Sequence, residues 1–142
     1  MAYADLTGLT SRVGEAMLID LSDRDTPATG AVVTAVIDAA LADTDALIDG
    51  YLAGRYALPL GTVPALIITL AETIAVYKLH SHVVSEKIEA DYRDALKTLE
   101  KIAKGDVRIP AAGIEPVSSG ASGVKTCDRK PEMTRDNMRG LI

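Results

Sequence analysis

The stretch that decides the fold runs from Ala46 to Leu60, ALIDGYLAGRYALPL. Its first half continues an apolar pattern, Leu47, Ile48, Tyr51 and Leu52, at the spacing of an amphipathic helix. Its second half ends that helix, because Pro59 lacks a backbone donor and restricts Leu58 to extended geometry, so the chain turns. Gly50 and Gly54 weaken the helix end by about 1 kcal/mol each relative to Ala, which is tolerable if another backbone packs closely there. Upstream, Val33, Val36, Ile37, Ala40, Leu41 and Thr44 keep the same stripe, which predicts one long helix over 31–55. Asp38, Asp43, Asp45 and Asp49 line or border its other side and read as a solvated face. Carboxylates serve acid–base catalysis where burial or a like charge separates their pKa values, and nothing apolar in the sequence brackets these four.

Before this helix, Asp5 suits a helix N-terminus, Leu6, Leu9 and Val13 repeat at helical spacing, and Gly14 can end the turn. A second short helix follows over 15–21 with Met17, Leu18 and Leu21 inward. The next stretch, SDRDTPATG, has loop composition. Asp23 and Asp25 imitate the opening of a calcium loop, but Pro27, Ala28 and Thr34 stand where a third ligand, a Gly and a bidentate Glu are required. The sequence therefore reads as a solvated acidic loop capping the following helix, and no metal site is expected.

Beyond the turn, Pro64 suits the start of a helix reaching about His82, with Leu66, Ile67, Leu70, Ile74 and Tyr77 apolar and Ala71 and Ala75 small. Only Glu72 and Lys78 carry charge between Pro64 and Leu79, so this helix belongs at the centre of the core or against another subunit. His80 and His82 point apart at i, i+2 spacing and have no evident third ligand, which favours a helix-terminal structural role. A last helix is expected over 86–104, with Ser85 as N-cap, Ile88, Tyr92, Ala95, Leu96, Leu99 and Ile102 inward, and Gly105 as its stop. Glu89 with Arg93 and Glu100 with Lys104 form i, i+4 pairs in the favoured orientation. The expectation is an all-α fold, an up-and-down helical bundle of four to five helices with an extended C-terminal arm.

The chain divides accordingly into a helical bundle over 1–105, a flexible linker over 106–124 with Pro and Gly and little periodicity, and a basic docking arm over 125–142. Residues 1–105 hold 9 Lys and Arg against 15 Asp and Glu, whereas 106–142 hold 6 against 5, so body and arm differ in sign. An acidic body repels a phosphate backbone and argues against sequence-reading of nucleic acid. The apolar runs are shorter than the roughly 20 residues of a membrane span, and the N-terminus has no basic-then-apolar leader, so no membrane partner and no cleaved signal are expected. Cys127 is the sole cysteine; it sits among Lys125, Arg129 and Lys130, yet no neighbouring His offers a base. With 142 residues, no Phe and no Trp, one Ala- and Leu-rich core is expected, synthesised in a reducing cytosol. P-loop, dinucleotide-binding GxGxxG and HExxH patterns are absent from the sequence; no enzyme activity and no cofactor are expected. In the arm, Met133, Met138, Leu141 and Ile142 stand among Arg129, Arg135 and Arg139, a pattern made to dock on a partner.

Three segments carry a resemblance: the opening MAYADLTGLTSRVGEAMLIDLSDRD, the central IDGYLAGRYALPL followed by VPALIITLAETIAVYKLH, and the closing MTRDNMRGLI. They resemble the small head–tail connector, or neck and adaptor, proteins of Mu-like phages and prophages. Asp49, Tyr51, Arg55, Tyr56, Pro59 and Pro64, with Leu52 and Leu58, form the most specific part, and TRDNMRG adds to it. The resemblance implies a non-enzymatic virion protein at the head–tail junction, forming a ring, commonly twelvefold, beneath the portal. Its implied partners are the portal protein, a tail-terminator or other neck protein, and further copies of itself, with DNA passing through the lumen unread. Arg129, Met133, Arg135, Asp136, Met138, Arg139 and Leu141 are the candidate contacts to portal or neighbouring subunit. Arg55, between two Tyr, is expected to act as an internal clamp on Asp49 or Tyr56 rather than as an interface residue. The alternative is a phage-encoded helical regulator that binds a host protein through the basic arm.

Overall fold

The computed structural model describes residues 2–24, 27–81 and 84–110. Among these the fold is all-α, with five helices in chain order: α1 Leu6–Val13, α2 Glu15–Ser22, α3 Thr34–Leu52, α4 Ala65–Leu79 and α5 Glu86–Lys104. The helix ends are set by local chemistry. Asp5 caps α1 through its carboxylate, which accepts from Gly8 N at 2.7 Å. Ser85 caps α5, accepting from Ile88 N at 3.4 Å, and Gly105 ends it in the left-handed region at φ 91°. The α1–α2 break falls at Gly14, whose φ of 85° an L side chain rarely adopts.

Two buried clusters define how the helices run. One gathers Ile48 and Leu52 from the end of α3, Ile67, Leu70 and Ile74 from the first part of α4, and Leu99 and Ile102 from the end of α5. The other gathers Ile37 and Ala40 from the start of α3 with Ala75, Val76 and Leu79 from the end of α4, and Ile88 from the start of α5 packs on it. These pairings make α3, α4 and α5 alternate in direction, an up-and-down arrangement in which α4 is central. Leu9 of α1 and Leu18 of α2 close the second cluster. Helix α4 buries Ile67, Leu70, Ala71, Ile74, Ala75, Val76 and Leu79, so its apolar surface is taken up mainly inside the bundle.

Helices α3 and α4 are shorter than their periodicity predicts. At the start of α3, Val33 is extended and its N–H is held by the buried Ser22 hydroxyl at 3.0 Å, which also donates to Leu18 O. The acidic loop thus does not cap α3; Asp23 instead accepts from Gly30 N at 2.7 Å and braces the loop itself. At the end of α3, Arg55 N and Tyr56 N both bond Leu52 O, closing the helix three residues before Arg55. The Leu58–Pro59 peptide in the following turn is cis. Helix α4 stops at Leu79, where His80 turns extended and Arg24 supplies the cap, its Nη2 donating to Leu79 O at 2.8 Å. His80 itself bonds Val76 O through Nδ1 at 2.7 Å, a helix-terminal role, while His82 lies outside the described residues.

The chain after Gly105 stays on the bundle for a further five residues. Asp106 N and Val107 N bond Lys101 O, Ile109 is 6% exposed within the first cluster, and its N–H donates to the Tyr56 hydroxyl at 3.3 Å. The stretch read from sequence as a linker therefore begins as packed chain over 106–110; its remainder, 111–124, and the arm, 125–142, lie outside the described residues.

Candidate functional site

The residues of the central motif gather at one end of the bundle, where α3 finishes, α4 begins and α5 finishes. Tyr56 is buried and its hydroxyl receives the Ile109 N–H. Pro64 is buried and immediately precedes α4, its carbonyl accepting from Ile67 N at 2.9 Å and Ile68 N at 3.2 Å. Pro59 is exposed in the turn. Tyr51 is half-buried against the same cluster, beside Tyr92, whose ring stacks on Tyr77 with centroids 3.9 Å apart and planes 4° from parallel. Burial, then the neighbouring Tyr77 and Tyr51, push the Tyr92 phenol above its ordinary pKa.

Arg55 lies half-buried with its guanidinium on Gly105, so close that a Cβ there would overlap it. The planar cation thus rests on the C-terminal cap of α5, where the helix dipole is negative, and joins the end of α3 to the end of α5. A side chain at 105 would push the guanidinium aside, and the φ of 91° already disfavours one.

A second clamp was not visible in the sequence. Tyr3, 3% exposed, donates its N–H to Asp45 Oδ1 at 3.0 Å and its hydroxyl to Asp49. Asp45 and Asp49 are half-buried, whereas Asp38 and Asp43 on the same helix are exposed. Two of the four carboxylates expected on a wet face are therefore turned inward to anchor the start of the chain. Burial raises the Asp45 carboxyl above the usual carboxylate pKa, opposed by the Tyr3 N–H and aided by Asp49. Burial, then the hydrogen bond to Asp49 and the charges of Asp49 and Asp45, push the Tyr3 phenol well above its ordinary value. Nothing local to Tyr3 announces this, since its partners lie 42 and 46 positions away.

The remaining cations of the first 77 residues act in the same way. Arg12 reaches from α1 across to α4, pairing with Glu72 at 3.1 Å and donating to Thr73 Oγ1 at 2.8 Å. Arg24 holds Leu79 O and Leu21 O. All three arginines thus bind helices together, and the outward charge of this part of the body is left to Asp and Glu.

The concavities are open grooves. One, of about 600 Å³, is lined by Arg24, Ala35, Val36, Ala39, Asp43 and Lys78. Burial lowers the Lys78 ammonium pKa and Asp43 opposes that shift. An amine near one exposed carboxylate supplies no nucleophile with a positioned base. Among the described residues, no group of three or more His, Cys, Asp or Glu comes together as a metal site, and no helix is long and apolar enough to cross a membrane. The candidate contact surface is the first turn of α4, where Leu66, 40% exposed, and Ile68, 37% exposed, flank Ala65 and Thr69. Beside it, Val63, Ile68, Ala2, Ala4 and Asp5 line a groove of about 270 Å³. The arm residues Arg129, Met133, Arg135, Asp136, Met138, Arg139 and Leu141 lie outside the described residues.

Comparison with known proteins bears on what this bundle is. The chain is 39% identical over 105 residues to Gene product J of Escherichia phage Mu, covering 74% of each chain. It is 32% identical over 108 residues to Mu-like prophage FluMu protein gp36 of Haemophilus influenzae, covering 76% of this chain and 77% of that one. The family model described as Bacteriophage Mu, Gp36 matches residues 3–126, a span that takes in all five helices, both clamps and the exposed turn of α4. The chain belongs to the Bacteriophage Mu Gp36 family.

Proposed function

We propose that the protein is a structural component of the phage particle, a head–tail connector that forms a ring beneath the portal and joins the DNA-filled head to the tail. The observation that carries this reading is family membership across the whole helical body, so that the bundle itself performs the family's role. In this reading the partners are portal, a tail-terminator or other neck protein, and a ring of further copies, commonly twelve, and the protein is not an enzyme.

The physical chemistry supports it in two ways. With Arg12, Arg24 and Arg55 committed to helix ends and neighbouring helices, the outer surface of the first four helices is dominated by carboxylates, on which a DNA backbone slides without sticking. A ring of identical subunits also needs heterologous contacts that close by rotation, and an apolar turn on an otherwise buried helix supplies one half of such a contact.

The test is mass determination by light scattering with negative-stain imaging, for the full chain and for a version ending at Pro110, each with and without purified portal. Ring formation on portal by the full chain supports the connector, and its loss on truncation makes the arm the anchor. A monomer that ignores portal overturns the reading in favour of a regulator that uses the basic arm.

A further inference from the structure

We propose that in the free protein the C-terminal arm, 125–142, folds back over the first turn of α4 of its own chain and covers Leu66 and Ile68. These two are the large apolar side chains standing exposed among the described residues, and the groove beside Ile68 is walled by Val63, Ala2 and Ala4. Exposed aliphatic surface next to a groove is a standing cost in water, relieved when an apolar segment lies on it.

The chain itself leads to the site. Ile109 is buried in the same cluster as Tyr3, Tyr56, Leu60 and Ile67, and Val63 packs on that cluster. The described chain therefore leaves the bundle at the end where α4 begins, with residues 111–142 still to follow. At a maximum of about 3.3–3.6 Å per residue, the 28 residues between Pro110 and Met138 can span any part of a bundle whose 19-residue helices are about 28 Å long. The arm carries Met133, Met138, Leu141 and Ile142, the apolar anchors that such a groove takes.

Charge points the same way. The groove is rimmed by Asp5, with Asp45 and Asp49 behind Tyr3. The arm holds five Lys and Arg against three Asp and Glu. A second copy meeting this face with its own Leu66 and Ile68 offers only those two large side chains, far below the roughly 800 Å² per partner of a stable interface. The tethered arm instead meets the face at an effective concentration on the order of mM. This self-contact stands whether or not the connector reading does.

Cys127, the sole cysteine, lies within the arm and serves as the probe site. A nitroxide on Cys127 of the full-length, isotope-labelled protein is expected to broaden amide signals of 2–5 and 63–69 and to spare the outer face of α5 around Lys97. A mixture of spin-labelled unenriched chain with isotope-enriched unlabelled chain separates contact within a chain from contact between chains. Met138→Asp with Leu141→Asp, or the exposed Ile68→Asp alone, is expected to abolish the broadening while the helical circular dichroism stays unchanged. Absence of broadening over the α4 turn overturns the proposal. Broadening that appears only in the mixture also overturns it, and gives the face to a second copy's arm.

Discussion

Helices α4 and α5 lie side by side and bury residues in the same core, yet they present opposite surfaces. In α4, two of 15 residues are charged and seven are buried. In α5, ten of 19 are charged and three are buried, and its outer face carries the Glu89–Arg93 and Asp94–Lys97 pairs. The difference teaches where each helix sits: a helix packed against α1, α3 and α5 has little side left for water, whereas an outer helix needs only a narrow apolar stripe. The place where α4 still shows apolar side chains to solvent, its first turn, is the departure from that rule, and this is why a contact is assigned there.

The comparison is broken most directly from inside. Ile74→Ala, at a position with no exposed surface, is expected to cost about 2–5 kcal/mol in denaturant unfolding with an unchanged slope. A loss below 1 kcal/mol would mean that α4 is not the central helix. Next in size is Gly105→Ala, which places a side chain in the left-handed region and into the Arg55 guanidinium. A loss of about 1–3 kcal/mol is expected, and the double variant with Arg55→Ala should recover the steric part of it and not the conformational part.

The contrast sharpens on α3, which has both characters along one helix. Tyr3→Phe removes the bond to Asp49 and is expected to cost about 1 kcal/mol, whereas Asp38→Asn on the exposed stretch should change stability by less than about 0.5 kcal/mol. Asp45 adds a pH signature. Its folded pKa is raised by burial, so the folded state holds the proton more tightly than the unfolded chain, and the Asp45 contribution to stability falls as pH rises from the unfolded value of 3.8 through the raised one. Asp45→Asn should remove that acid-range slope, read from unfolding midpoints across the weakly acidic range. For Tyr3 the raised phenol pKa means that its contribution is complete below about pH 10 and is lost above it. The smallest effect belongs to α5: Lys97→Ala should change stability by no more than about 0.5 kcal/mol, because both partners of that pair are well exposed.

What was legible in the sequence was legible because it is local. Asp5, Gly14, Ser85 and Gly105 mark helix ends through interactions within four residues, and α5 runs over the residues its caps and stripe predict. The i, i+3, i+4 pattern also placed α3 and α4, but overran their ends. Those ends are set by distant groups, Ser22 on Val33 and Arg24 on Leu79, which no window around the helix contains. The motif residues were picked out at Asp49, Arg55 and Tyr56, while their counterparts Tyr3, Gly105 and Ile109 had no mark of a shared site.

By itself, then, the sequence determined an all-α chain of four to five helices, the helix ends at Asp5, Gly14, Ser85 and Gly105, an acidic 1–105 and a basic 125–142, since periodicity, local capping and net charge depend on near neighbours and on composition. Only the tertiary structure decided which of the α3 carboxylates turn inward, where the arginines reach, that residues 106–110 stay packed, and which turn of α4 is left open. Those outcomes rest on contacts 42 to 61 positions apart and on the rotation of each helix about its axis, which only packing against the other helices selects.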